Sequence, residues 1–278
     1  MDQRTLLANV IRERFGENVP LPPSLRGLDA LAVLAMRGAT RAFRVEPVDP
    51  GLIGLLCAVA LSSPTKSDLQ QRDIVIVRDP AQRARLDALM PTQDWLPEAP
   101  ALLVFCGNNR RQRQIHAWRG KAFANDHLDA FFNAAVDAAI ALSAFVSAAA
   151  LAGLGTCPLS AIRNRAAQVS DALKLPQHVF PVAGLAVGWP IQPATVSHRL
   201  PLAATVHTDA FDETKIEEQV SVYDRRRAAS QPYAEQRFAA DFGLCPDYGW
   251  SEDKARQYAK PERADFGAFI RAKGFSLE

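Results

Sequence analysis

The stretch Ser63-Pro64-Thr65-Lys66-Ser67-Asp68-Leu69-Gln70 leads, after three more residues, into the apolar Ile74-Val75-Ile76-Val77. Hydroxyls, an amide and charges crowd the first segment, and the second has the β-branched content of a strand. Together they read as a binding loop at the mouth of a sheet. Upstream, Arg37-Gly38-Ala39-Thr40-Arg41-Ala42-Phe43 follows a run from Leu28 to Met36 with apolar residues at helical spacing. That spacing predicts Arg37 and Arg41 four apart on one face of a helix end, where the dipole favours cations and two guanidinium groups can share one anion. Phosphate is the natural anion. A cationic pair plus a polar loop suits a phosphorylated, largely planar cofactor.

Outward from the loop, helical and strand signals alternate. Residues 4–15 read as a short amphipathic helix, followed by the breaker-rich Pro20-Leu21-Pro22-Pro23. Leu52 to Leu61, Ala81 to Leu89, Leu128 to Leu154 and Ala166 to Leu173 read as helices. Ala101 to Cys106 is a continuous apolar run of strand length, expected at the centre of the sheet, and Phe180 to Trp189 is a second strand stopped by Pro190. A short strand is expected around Ala204 to Val206, and helices at Glu213 to Ala229 and Pro261 to Lys273. Helices outnumber strands and separate them, so the predicted class is α+β, one mixed sheet under heavy helical cover.

Composition narrows the function classes. The 278 residues are 48% hydrophobic, enough for a substantial core, and the net charge is only +2. Basic residues cluster at Arg110-Arg111-Gln112-Arg113 and Arg225-Arg226-Arg227, which read as solvated helix faces, so no nucleic-acid footprint is expected. Cys57, Cys106, Cys157 and Cys245 stand far apart without CxxC spacing, and the five histidines show neither HxxxH nor HExxH. Neither a metal site nor a disulfide framework is expected, and the reading is a reducing cytoplasm. Ala138 to Gly155 carries no charge and has membrane-spanning length. Its alanines and serines favour a helix buried against another helix, so no membrane partner is expected.

These pieces, in order, resemble the nitroreductase family of FMN-dependent oxidoreductases, in particular its larger NADPH-preferring group. Arg37-Gly38-Ala39-Thr40-Arg41-Ala42-Phe43 is similar to the family's Arg-x-Ser-x-Arg-x-Phe. Pro64 to Gln70 resembles its Pro-Ser-Ser-x-Asn-x-Gln loop, and Gly153-Leu154-Gly155-Thr156-Cys157-Pro158-Leu159-Ser160 the turn after its dimer helix. Leu175 to Pro190 and Arg199-Leu200-Pro201 continue the match. The resemblance implies a nitroreductase-like fold in an intertwined homodimer. It divides the chain into a helical extension (1–27), an FMN-binding core (28–206) and a carboxyl-terminal helical extension of the same domain (207–278). It also implies roles for residues. Arg37, Arg41 and Arg199 would bind the FMN phosphate, with Gly38 and Ala39 between the first two. Thr65, Lys66, Ser67 and Gln70 would line the ribityl chain and ring edge, and Gln93 would reach the flavin from a neighbouring loop. Backbone at Leu159, Ser160 and Ala161 would face the flavin N5 and O4. Arg225, Arg226 or Arg227 would meet NADPH. Ala39 stands where many relatives have a phosphate-touching serine, and Ser197 where the larger group often has lysine. These departures imply phosphate affinity that is either lower or carried elsewhere, with Lys66 the candidate. The implied activity passes two electrons from NADPH or NADH to a nitroaromatic, quinone or flavin. The flavin carries the chemistry and no protein acid or base is required. A flavin-binding protein for storage or sensing, and a reductase with one dedicated biosynthetic substrate, are the alternatives.

Overall fold

The computed structural model describes residues 2–278. Its first elements are α1 (Gln3–Phe15), α2 (Leu28–Met36), α3 (Pro50–Leu61), β1 (Arg72–Val77), α4 (Pro80–Ala88), β2 (Ala101–Asn108) and α5 (Arg110–Trp118). There follow α6 (Leu128–Leu151), β3 (Gly155–Leu159), α7 (Ala166–Ala172), β4 (Val179–Gly188), α8 (Ile216–Ser230), α9 (Ala239–Phe242), α10 (Trp250–Tyr258) and α11 (Phe266–Ala272). The chain divides into two units, residues 39–194 with 263–278, and residues 1–38 with 195–262.

The first of these units holds the sheet, in the order β1-β2-β4-β3. Central β2 has Leu102 to Cys106 fully buried, which a continuous apolar run requires when both faces are covered. All three strand pairs are antiparallel. The mixed sheet expected from sequence is therefore corrected: β2 and β3, joined through α5 and α6, run the same way but are kept apart by the oppositely directed β4, and the one parallel contact among the described residues is the isolated bridge between Ala39 and Thr156. Strand β3, which the glycines and Pro158 disguised as a turn, lies at an edge where a missing N–H breaks no interior ladder.

Two helices start on the same device, an aspartate cap followed by proline: Asp49 accepts from Leu52 N at 2.9 Å and Asp79 from Gln82 N at 2.7 Å. Helix α6 packs its Ala141, Phe145, Val146 and Ala149 with α3's Ile53, Leu56 and Ala60 against Leu103, Phe105 and Leu185 of the sheet. It is long and apolar enough to cross a membrane by length and composition, yet these contacts make it a core helix of the sheet. The opposite sheet face is covered by α4, α7 and the turn around Leu96, through Leu86, Val169 and Leu96 itself. Helix α11 closes a smaller cluster of Phe180, Ile270 and Phe275 with Ala130 and Ala134.

The second unit is helical. Helix α1 packs on α2, and α8 on α10. The strand expected around Ala204 to Val206 is instead a 3-10 turn, Leu202–Ala204, because Pro201 opens it and carbonyl 202 accepts from the amides of both Thr205 and Val206.

Candidate functional site

The loop at 63–71 is held open by groups distant in sequence. Asp137 of α6 is fully buried, and its carboxylate accepts from Lys66 N and from Gln71 N, both at 2.9 Å. Both ends of the loop are thus fixed on one side chain. Arg72 is buried below it and donates to the carbonyls of Leu61 at 2.7 Å and Ser63 at 2.8 Å. Burial lowers the pKa of Arg72, while Asp137 and Asp68 act in the opposite sense. Gln112 donates to Leu69 O and Arg111 to Gln70 O, each at 2.7 Å. Between these anchors Ser67, Asp68 and Gln70 take φ of 47°, 56° and 51°. Left-handed backbone at three non-glycine residues costs of order 1 to 2 kcal/mol each and persists only where its surroundings over-determine it. Thr65 is half-buried, and Lys66, Ser67 and Gln70 are exposed along the loop.

The bridge from Ala39 to Thr156, with Thr40 N donating to Thr156 O at 2.9 Å, lays residues 39–41 along β3. A side chain at Gly155 would collide with Thr40, so this approach depends on the glycine. The same edge ends in buried Leu159, exposed Ser160 and half-buried Ala161, where a 3-10 turn begins. The structure therefore brings Ala39 and Arg41 to the strand that delivers Leu159 to Ala161. Gln93 makes only local bonds, its amide to Met90 O and its side chain to Thr92, and it is not brought to the loop by any of them.

In the helical unit, α2 ends at Met36, and Arg37 has left the helix at φ −57°, ψ 136°. The helical pairing of Arg37 with Arg41 is thereby corrected: Arg37 itself is extended and residues 37–41 are not helical, so the helix-face spacing does not apply. Gly38 follows Arg37 outside the helix and is half-buried. Arg199 is exposed and donates to Ser197 Oγ at 2.7 Å and to His198 O at 3.0 Å. Arg37, Arg41 and Arg199 take part in no ion pair among the described residues. Unpaired guanidinium groups are what an anion site needs. A cavity of about 840 Å³ opens beside Arg37 and Arg199, lined also by His198, Arg227, Tyr233 and Trp250. His198 is buried with its Nδ1 unpartnered, and burial followed by the charges of Arg226 and Arg227 lowers its pKa.

The basic run at 225–227 divides. Arg225 is exposed and Arg227 lies over the Tyr233 ring at 4.7 Å. Arg226 turns inward and donates to Arg14 O at 3.0 Å and Arg199 O at 2.6 Å, which gives it a structural role within this unit. Sequence reading missed Asp137 as a loop anchor and Arg14 altogether. The signal for the first was a carboxylate in the middle of a mostly apolar helix, well beyond the first turn that Asp129 occupies. Burial pushes the Cys106 thiol up to about 12 and raises those of Cys57 and Cys157, which disfavours the thiolate at these three positions.

A model of the nitroreductase family matches residues 34–189, and one of its carboxyl-terminal domain matches residues 197–278. The FMN reductase (NAD(P)H) of Bacillus subtilis is 26% identical over 243 residues, covering 86% of this chain and 94% of that protein. The oxygen-insensitive NADPH nitroreductase of Salmonella typhimurium is 31% identical over 198 residues, 71% of this chain and 80% of that protein. Among solved structures, NfrA2 of Bacillus megaterium superposes with a TM-score of 0.81 at 27% identity, over 90% of this chain and 99% of that one. Antiparallel sheet, core helix and ordered arginine and loop segments agree with these matches over more than half of the sequence, and the chain belongs to the nitroreductase family.

Proposed function

We propose that this protein binds FMN and is an NAD(P)H-dependent oxidoreductase that passes two electrons to a small acceptor, a nitroaromatic, a quinone or a flavin. The observation that carries this reading is the set of guanidinium groups at Arg37, Arg41 and Arg199, which lack carboxylate partners at the positions where the family resemblance expects phosphate ligands. The relatives' names support it: an FMN reductase and an NADPH nitroreductase. The donor set fits FMN. Cations take the phosphate, the hydroxyls and amides of Thr65, Lys66, Ser67 and Gln70 suit the ribityl chain and ring edge, and the backbone at Leu159, Ser160 and Ala161 offers polar groups at an exposed strand end. Gln93 is the weakest member, and Arg225 and Arg227 are the residues of the basic run left for the 2′-phosphate of NADPH. When bound, FMN supplies the two-electron hydride chemistry, so the protein's task is orientation rather than acid or base catalysis.

A homodimer belongs to the same reading. Leu55 and Val59 of α3 and Phe132, Val136 and Leu151 of α6 are exposed, with Leu55 at 60% and Phe132 at 59%. Large apolar side chains gathered on two adjacent helices are covered most simply by a second copy of the same surface. The four cysteines are free thiols, which suits a cytoplasmic enzyme.

Anaerobic mixing of the purified yellow protein with NADPH or NADH tests the function. Bleaching of the flavin within a turnover, and parallel double-reciprocal lines with a quinone acceptor, are expected. Protein without flavin absorbance, or intersecting lines, would count against it. Sedimentation of the same sample as a single-chain species that keeps its flavin would sink the dimer.

A further inference from the structure

Arg14 lies on the last turn of α1, outside both stretches matched by the family models. It is only 8% exposed, and its guanidinium donates four hydrogen bonds, every one to a main-chain carbonyl. Nε and Nη2 reach Ala35 O at 3.1 and 2.7 Å, Nη2 also reaches Arg37 O at 2.8 Å, and Nη1 reaches Ser197 O at 3.0 Å. These carbonyls belong to the two segments that carry Arg37 and Arg199. The return contacts close a ring: Arg199 N donates to Arg14 O at 2.7 Å, and Arg226 Nη2 bridges Arg14 O and Arg199 O. The next residue but one, Gly16, has φ 78°, and a side chain there would collide with the Arg226 guanidinium. The turn that follows Arg14 is therefore shaped to admit the bridge.

The energetics of this arrangement are unusual for a scaffold contact. A buried arginine is ordinarily paired with a carboxylate, because an unpaired buried charge is costly. Arg14 has none. Burial lowers its pKa, and the neighbouring charges of Arg199 and Arg37 lower it further. Apolar packing would join α1 to α2 without that cost. What an apolar side chain lacks is a planar fork able to hold two separate backbone segments at a fixed spacing. With the carbonyls of Ala35, Arg37 and Ser197 turned to Arg14 and that of Arg199 to Arg226, residues 35–37 and 197–199 keep two further guanidinium groups exposed, both lining the same cavity.

We propose that Arg14 is a positioning residue of the cofactor site, through which the amino-terminal helix sets the spacing of Arg37 and Arg199 for a dianionic phosphate. The proposal rests on the reading of those arginines as FMN phosphate ligands. It makes α1 part of the binding machinery rather than an appendage.

The test compares FMN with riboflavin, which differ by the phosphate alone, on full-length protein freed of flavin and titrated by fluorescence quenching. Wild type, Arg14→Met, Arg14→Lys and Arg37→Ala are measured, with thermal unfolding of each. Arg14→Met should weaken FMN about 10- to 100-fold, the scale of charge-assisted bonds to one anion, and leave riboflavin affinity unchanged within about twofold. Arg14→Lys keeps the charge but not the fork, and should still weaken FMN about fivefold or more. Equal losses for both flavins, or full FMN affinity in Arg14→Lys, would overturn the proposal by reducing Arg14 to a scaffold or a mere charge. Should Arg14→Met fail to fold, the lysine variant decides alone by the same ratio. If wild type does not prefer FMN to riboflavin, or Arg37→Ala leaves the preference intact, the phosphate reading itself fails, an outcome distinct from failure at Arg14 alone.

Discussion

The loop at 63–71 and the arginine segments at 35–37 and 197–199 are both held by one buried charged side chain, but of opposite sign. Asp137 accepts from two loop amides. Arg14 donates to three main-chain carbonyls across two segments. The difference teaches what each clamp leaves outside. A carboxylate takes up N–H groups and leaves side-chain hydroxyls and amides on the rim, whereas a guanidinium takes up carbonyls and so removes negative partial charge from a surface that also presents cations. The first arrangement suits a polar, neutral stretch of ligand and the second an anion.

Removing the carboxylate clamp should have the largest effect. Asp137→Ala strips partners from two buried or half-buried amides and removes one of the two carboxylates that act on Arg72, for an expected loss of about 3 kcal/mol in unfolding free energy. Urea titration measures it, and a loss below about 1 kcal/mol would mean that the loop is fixed by other contacts. Next come the exposed cations. Arg37→Ala and Arg199→Ala should each weaken FMN binding by about 1.5 to 3 kcal/mol while leaving flavin-free protein as stable as wild type, since neither side chain supports an ion pair. Variants that retain full flavin after dialysis would break the anion half of the comparison.

Strain offers a finer test of the loop. At Ser67, with φ 47°, a β-branched side chain is poorly tolerated, so Ser67→Val should cost about 1 to 2 kcal/mol and Ser67→Gly no more than about 0.5 kcal/mol. Equal melting temperatures for the two would show that the left-handed turn is not enforced. The smallest effect concerns pH. Burial, and then Arg226 and Arg227, hold the folded pKa of His198 below its ordinary 6.5. Between the two values the unfolded chain binds a proton that the folded protein does not, so stability is complete above about pH 6.5 and falls as pH drops through that interval. His198→Gln should flatten the decline of melting temperature with falling pH, and an unchanged slope would remove His198 as its source.

Much of this architecture is legible along the chain. Continuous apolar runs place β2 and β4, helical spacing places α3, α4, α6 and α7, and the ordered arginine and loop motifs point to the family. Legibility fails where a contact joins residues far apart in sequence. Asp137 reads as a helix-interior acid, yet it meets amides more than sixty positions earlier. Pro158 and the glycines conceal β3, because an edge strand tolerates residues that local propensity assigns to a turn.

The sequence by itself determined the class of fold, the central strands and most of the core helices, the absence of paired-cysteine spacing and the residue types of an anion and polar-loop site, because these follow from periodicity, composition and local backbone preference. Only the tertiary structure decided that the sheet is antiparallel, that Arg37 leaves the helix, that Arg226 turns inward and that Arg14 and Asp137 hold the two candidate binding segments. The roles of Arg14, Arg226 and Asp137 depend on which distant backbone groups a buried charge can satisfy, and in a desolvated interior that requirement outweighs local propensity.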